Sequence, residues 1–168
     1  VIRRQPPRGD SEYAVLEFHW ALNAVAAATP RDLYLEWAIQ DQNLAHTHIF
    51  RLRYLNYSGG VAKRQLQYWN AAGAWADIVG VTYKVNVILP AWQYFCLVLK
   101  RNVATGWQYY WGRMNDSEFM MNDLACQAGA FDLPEQMVNL VCTTDVAAAT
   151  TAYVDDLTLL DLVQLHIS

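Results

Sequence analysis

Hydrophobic positions along this chain recur every second residue far more often than every third or fourth. From Glu12 to Trp20, Ala14, Leu16, Phe18 and Trp20 fall on one side, with Tyr13, Val15, Glu17 and His19 on the other. Leu33, Leu35, Trp37 and Ile39 alternate with Tyr34, Glu36, Ala38 and Gln40. Successive side chains of a strand point to opposite faces, so this period predicts strands with one face in a core. Phe50, Leu52 and Tyr54 alternate with Ile49, Arg51 and Arg53, and the paired arginines mark their side as wet. Arg64 to Trp69, Trp75 to Ile78, Tyr83 to Leu89, Trp107 to Trp111, Gln136 to Cys142 and Tyr153 to His166 read as further strands. Trp92 to Lys100 is apolar on both sides, as a central sandwich strand is.

Turn signals separate these segments. Ser58-Gly59-Gly60, Asn70-Ala71-Ala72-Gly73 and Asn102 to Gly106 reverse the chain, and Pro90 ends a strand because it has no ladder donor. Ser117 to Ala128 reads either as a short helix or as a strand with a bulge, and Asp155 to Gln164 also tolerates a helix. The sum is about nine or ten short strands with turns about every eight to twelve residues, the spacing of an all-β sandwich or barrel. The expected fold is an antiparallel β-sandwich, jelly-roll-like, with at most one short helix. At 168 residues it forms a single domain, 1–168, with residues 1–11 as a flexible leader. Arg8-Gly9-Asp10 falls in that leader and reads as a solvated segment.

Composition narrows the function. Hydrophobic residues make up 54% of the chain and charged residues 17%, which excludes disorder. A net charge of -4 argues against a nucleic-acid partner, and no apolar run is long enough for membrane insertion. The three cysteines, Cys96, Cys126 and Cys142, are too few and too widely spaced for a zinc ribbon or a disulfide framework. They leave open one bridge with a free thiol, or three buried thiols. Asn56-Tyr57-Ser58 and Asn115-Asp116-Ser117 are glycosylation sequons. The start, Val1 to Arg8, has no signal-type apolar stretch, so any signal is expected to have been removed already.

Catalytic constellations are scarce. No serine stands in a glycine-flanked elbow, no glycine-rich phosphate loop occurs, and Cys96 sits between Phe95 and Leu97 as a core residue does. Carboxylates such as Glu17, Glu36, Asp77 and Glu118 would have to converge from separate strands to work as a pair. His46 and His48 are two apart, so on a strand both imidazoles face one way and could share a metal ion; a catalytic zinc needs a third protein ligand. The alternative is two histidines on a half-exposed strand face.

The aromatic content points elsewhere. Seven Trp, ten Tyr and five Phe exceed what a small core readily absorbs. Alternation places Trp107, Tyr109 and Trp111 on one side of their strand, and Tyr68, Trp69 and Trp75 crowd one hairpin. Sugars present apolar CH faces that stack on rings and hydroxyls that need polar neighbours, here Gln67, Asn70, Gln93, Gln108 and Arg113. A strand aromatic on both faces cannot bury both against one partner sheet, so some of these rings belong at a groove or an interface. The candidate ligand-binding residues are Trp69, Trp75, Trp107, Tyr109, Trp111 and Arg113.

The hairpin Gln65-Leu66-Gln67-Tyr68-Trp69-Asn70-Ala71-Ala72-Gly73-Ala74-Trp75 and the close Ala152-Tyr153-Val154-Asp155-Asp156-Leu157-Thr158-Leu159 resemble segments of non-catalytic jelly-roll modules of the carbohydrate-binding type. The resemblance covers about a tenth of the chain with specificity. It implies a recognition module that binds carbohydrate, is no enzyme, requires no cofactor and works in an extracellular or surface-exposed setting. It also implies a structural calcium held by Asp155 or Asp156, with Glu12 or Asp10 supplying the partner carboxylate. Two other functions stay in view: a structural or assembly subunit of a surface, filament or virion, with other protein subunits or a homo-oligomer as partner, and a metal-dependent enzyme using His46 and His48.

Overall fold

The alternating segments become strands. A computed structural model of the chain describes residues 2–4, 12–22, 31–41, 46–58, 61–82, 92–130, 136–144 and 152–162. Within them lie twelve strands and no helix: β1 (Ile2–Arg4), β2 (Tyr13–Leu22), β3 (Arg31–Asp41), β4 (His46–Ser58), β5 (Val61–Trp69), β6 (Trp75–Thr82), β7 (Gln93–Asn102), β8 (Gly106–Met114), β9 (Ser117–Ala125), β10 (Gln127–Ala130), β11 (Gln136–Thr144) and β12 (Ala152–Leu162). The predicted strand Tyr83 to Leu89 and the Arg8-Gly9-Asp10 tripeptide lie outside the described residues. Within the expected leader, Ile2–Arg4 is already a strand, paired antiparallel with Gln136–Val138.

All pairing is antiparallel, in two sheets. One runs β1-β11-β3-β4-β5-β6, with β10 also on β4; the other runs β12-β2-β7-β8-β9. Outer pairings are nested in sequence: β2 with β12, β3 with β11, β4 with β10. The inward positions of both sheets form one core. Leu16, Phe18 and Trp20 of β2 and Leu97 and Leu99 of β7 meet Trp37 and Ile39 of β3 and Phe50 and Leu52 of β4. A sandwich results when the inward apolar faces of two sheets bury each other.

The two ambiguous segments are strands with irregular pairing. Ser117–Ala125 is β9; between Met120 and Leu124 its register slips, and Asn122 and Asp123 there take left-handed φ of 48° and 61°. Such φ values are uncommon outside glycine but are tolerated best by Asn and Asp. In β12 the slip lies between Asp155 and Thr158, with Asp156 at φ 53°. The short side chains at both sites fit a bulge, which adds one residue to β12 and two to β9 relative to the facing strand.

Gly112 packs directly against Phe119. A Cβ there would lie 2.2 Å from the Phe119 ring, whereas one at Gly129 would meet nothing within 4 Å. Gly112→Ala therefore has to displace Phe119, at about 1–3 kcal/mol, the usual cost of overpacking. Urea unfolding is expected to show a clearly lowered midpoint for Gly112→Ala and a change within about 0.5 kcal/mol for Gly129→Ala.

Candidate functional site

The outer face of the larger sheet carries two polar-aromatic rows side by side. Strand register sets Glu36 of β3 opposite Arg51 of β4, and Trp69 of β5 opposite Trp75 of β6. The neighbouring row runs from Arg53 through Gln67 to Asp77. Every second residue of β4, β5 and β6 points outward here, while Phe50, Leu52, Leu66 and Ile78 between them point into the core.

These side chains hold one another. Arg51 Nε donates to Glu36 Oε2 at 2.6 Å, and its guanidinium lies 4.8 Å from the centre of the Trp69 ring. Trp69 meets Trp75 edge to face at 5.0 Å, and its indole N–H donates to Gln127 Oε1 at 2.6 Å. Arg53 lies 4.4 Å over Trp75 and donates through Nε to Gln67 Oε1 at 3.0 Å. Gln67 in turn donates to Asp77 Oδ1 at 2.6 Å. Each exposed cation–π contact is worth about 0.5–1 kcal/mol, so the ladder orders the rings more than it stabilises the fold. Below it, Asn70 Oδ1 accepts from the N–H groups of Ala72 and Ala74 and fixes the turn that brings Trp75 back beside Trp69.

Tyr109 supports this face from underneath. It belongs to the other sheet and is fully buried, against the expectation that it lines a binding surface. Its hydroxyl accepts from the Arg51 N–H at 2.7 Å and stands 3.1 Å from both the Arg51 and the Trp69 carbonyl oxygens, to either of which it can donate. Along this edge of β4, β10 pairs up to Ile49 and β5 starts at Leu52, so Arg51 sits in the gap between the two. The phenol fills that gap. Burial pushes its pKa well above the ordinary value, which keeps the proton on the hydroxyl.

Trp107 is also buried, at 2% exposure, so the expected platform of Trp107, Tyr109 and Trp111 does not form. The reason is a bulge: Leu99 pairs with Tyr109 but Val98 pairs with Trp111, leaving Tyr110 as an extra residue. Side chains therefore change phase. Trp107 and Tyr109 point inward, whereas Tyr110 and Trp111 pack on the outer face of the smaller sheet against Val15, Cys96 and Val98. Arg113 shares that face; its Nε donates to the Asn115 carbonyl at 2.6 Å, and it lies 5.9 Å over Tyr94. Of the six candidate ligand residues, then, Trp69 and Trp75 stand together, Trp111 and Arg113 occupy the opposite side of the sandwich, and Trp107 and Tyr109 are core. Glu36, Arg51, Arg53, Asp77 and Gln127 complete the first group; the wet face announced by Arg51 and Arg53 was the sequence signal for them.

Among the described residues, the side chains expected to share a metal lie apart. His19 stands opposite Asp155, at the other end of β2 from Glu12, a separation of about 20 Å at strand rise. Asp155 instead accepts the Asp156 N–H at 2.9 Å, and Asp156 Oδ2 lies 3.5 Å from His19 Nδ1. The aspartates shape the bulge rather than pair with Glu12; Asp10 lies outside the described residues. His46 is exposed, but His48 is in the core, its Nδ1 3.5 Å from Cys126 Sγ. No group of three His, Cys, Asp or Glu side chains suited to a metal occurs among the described residues. Burial raises the Cys126 thiol to about 12, so without a metal it keeps its proton at neutral pH.

The sequon at Asn115 is a structural clamp. Its Oδ1 accepts the Tyr94 N–H at 2.9 Å, and its Nδ2 donates to Oε1 of the buried Gln93 at 2.6 Å. No family model, curated protein or solved structure matches the chain.

Two outcomes follow from the buried groups. Tyr109→Phe removes the hydroxyl that serves Arg51 and Trp69, and is expected to cost about 1–3 kcal/mol in chemical unfolding. Cys96 and Cys126 are free, and burial raises their thiols from 9.0 to about 11 and about 12. Folding thus favours the protonated thiols. That stabilisation is complete below pH 9 and is lost as pH rises through about 11 to about 12, so the thermal midpoint should fall across this window.

Proposed function

We propose that this chain is a non-catalytic recognition module that binds carbohydrate on the outer face of the seven-stranded sheet. The observation that carries the proposal is the pair Trp69 and Trp75, 5.0 Å apart on an outward sheet face and ringed by Arg51, Arg53, Gln67 and Asp77. Half-exposed indoles offer an apolar surface to sugar CH groups, and the amide, guanidinium and carboxylate around them offer partners to hydroxyls. Because the side chains already hold one another, little rotamer entropy remains to be lost on binding.

Supporting this reading, the nested pairing of β2 with β12 and β3 with β11 is the kind of wrapping a jelly roll needs. In this proposal the module requires no cofactor and acts outside the cell or at a surface. The assembly reading draws on a different surface, the outer face of the five-stranded sheet, and the two do not compete for residues.

Glycan-array screening followed by affinity-gel electrophoresis tests the proposal. Retention by at least one polysaccharide is expected, weakened about tenfold or more by Trp69→Ala or Trp75→Ala, as for other central aromatic anchors. Val103→Ala, in the β7–β8 turn and 90% exposed, should leave retention unchanged. Absence of any glycan binding, or binding indifferent to Trp69 and Trp75, would overturn it.

A further inference from the structure

The outer face of the five-stranded sheet is apolar along one complete row. Register sets Leu160 of β12, Val15 of β2, Val98 of β7, Trp111 of β8 and Met120 of β9 side by side. Its ends are open, with Leu160 42% and Met120 53% exposed. At its centre Val15, Cys96 and Val98 are buried beneath Tyr13, Tyr94, Tyr110 and Trp111, residues of the same sheet. A layer of rings over small apolar residues on an outward face has the composition of an interface core, rich in Tyr, Trp and Met.

The next row supplies the charges. Glu17 of β2 and Arg113 of β8 flank Cys96 of the central strand β7 in one register line. We propose that this face pairs with the same face of a second copy of the chain, about a two-fold axis parallel to β7. That axis lays β2 of one copy over β8 of the other. Glu17 then faces Arg113 of its mate and Arg113 faces Glu17, while Leu160 meets Met120 and Val15 meets Trp111. A two-fold along the row instead would set Glu17 over Tyr13 and match no charges. The contact is isologous, as the commonest homodimers are.

Size agrees. Five strands at about 4.8 Å spacing, each about nine or ten residues long at about 3.3 Å, present about 700 Å² per copy. A pair would bury about 1,400 Å², within the range of about 1,200–2,000 Å² typical of stable complexes. The face lies on the opposite side of the sandwich from Trp69 and Trp75, so pairing leaves both of those surfaces outward.

Analytical ultracentrifugation of the whole chain tests the inference, with circular dichroism to verify that each variant is folded. The expected result is a concentration-dependent dimer. Leu160→Lys or Met120→Lys, both at exposed positions, should weaken it by about tenfold or more. Glu17→Arg alone and Arg113→Glu alone should each weaken it, because each sets like charges face to face. Mixed together, those two variants should pair with each other, since every contact is then Arg against Glu. A chain monomeric at about 100 µM, a dimer indifferent to both lysine substitutions, or charge variants that fail to pair when mixed would overturn it.

Discussion

The hydroxyl of Tyr109 is where the two sheets depend on each other most directly. Strand β4 has two successive neighbours on one edge, β10 and then β5, and the handover leaves backbone at Arg51 without a ladder partner from either. A buried N–H without a partner costs about 1–3 kcal/mol, and one phenolic oxygen from the opposite sheet meets the need. Phe50 and Tyr68 stand edge-on to the same ring at 4.9 and 5.5 Å, so the hydroxyl is held in place by the core itself. The backbone it supports carries the Arg51 and Trp69 side chains on the outer surface. Surface geometry there is therefore inherited from an interior bond.

The two outer faces solve the same difficulty differently. A sandwich this rich in aromatics cannot bury every ring between its sheets. On the larger sheet the surplus indoles are covered by guanidinium groups, which tolerate water on their other side. On the smaller sheet the surplus rings cover Val15, Cys96 and Val98, forming a second, thinner apolar layer. The Tyr94 hydroxyl in this layer donates to Glu17 at 2.9 Å. The polar face is the one proposed to take a ligand rich in hydroxyls, and the apolar one is proposed to meet a second copy of the chain.

Most of the architecture was legible because period two needs only the order of residues. Ala14 to Trp20, Leu35 to Ile39 and Phe50 to Leu52 all point where alternation says they should. Alternation fails wherever one strand gains a residue. Trp107, Tyr109 and Trp111 share parity, yet the extra residue at Tyr110 separates them onto two faces. The clue was Arg113, which has the same parity as the buried Trp107 and Tyr109 but carries a charge; the phase had to change between them. Glu12 and Asp155 illustrate a different blindness. Glu12 immediately precedes β2 and Asp155 lies on its neighbour β12, but an antiparallel register decides which ends meet, and no local pattern encodes it. The partnership of Arg51 with Glu36 and Trp69 likewise became visible only with cross-strand register.

The nested pairings carry a consequence for how the molecule comes into being. Strand β2 is bonded on one side to β7 and on the other to β12, nearly the whole chain away. Closing so large a loop demands much chain entropy before any contact repays it. During synthesis the meander β3-β4-β5-β6 can form early from its own neighbours, whereas β2 keeps an open edge until β12 has left the ribosome. Nascent chains of this protein thus pass through a stage with an exposed, apolar strand edge, the kind of surface that holdase chaperones recognise.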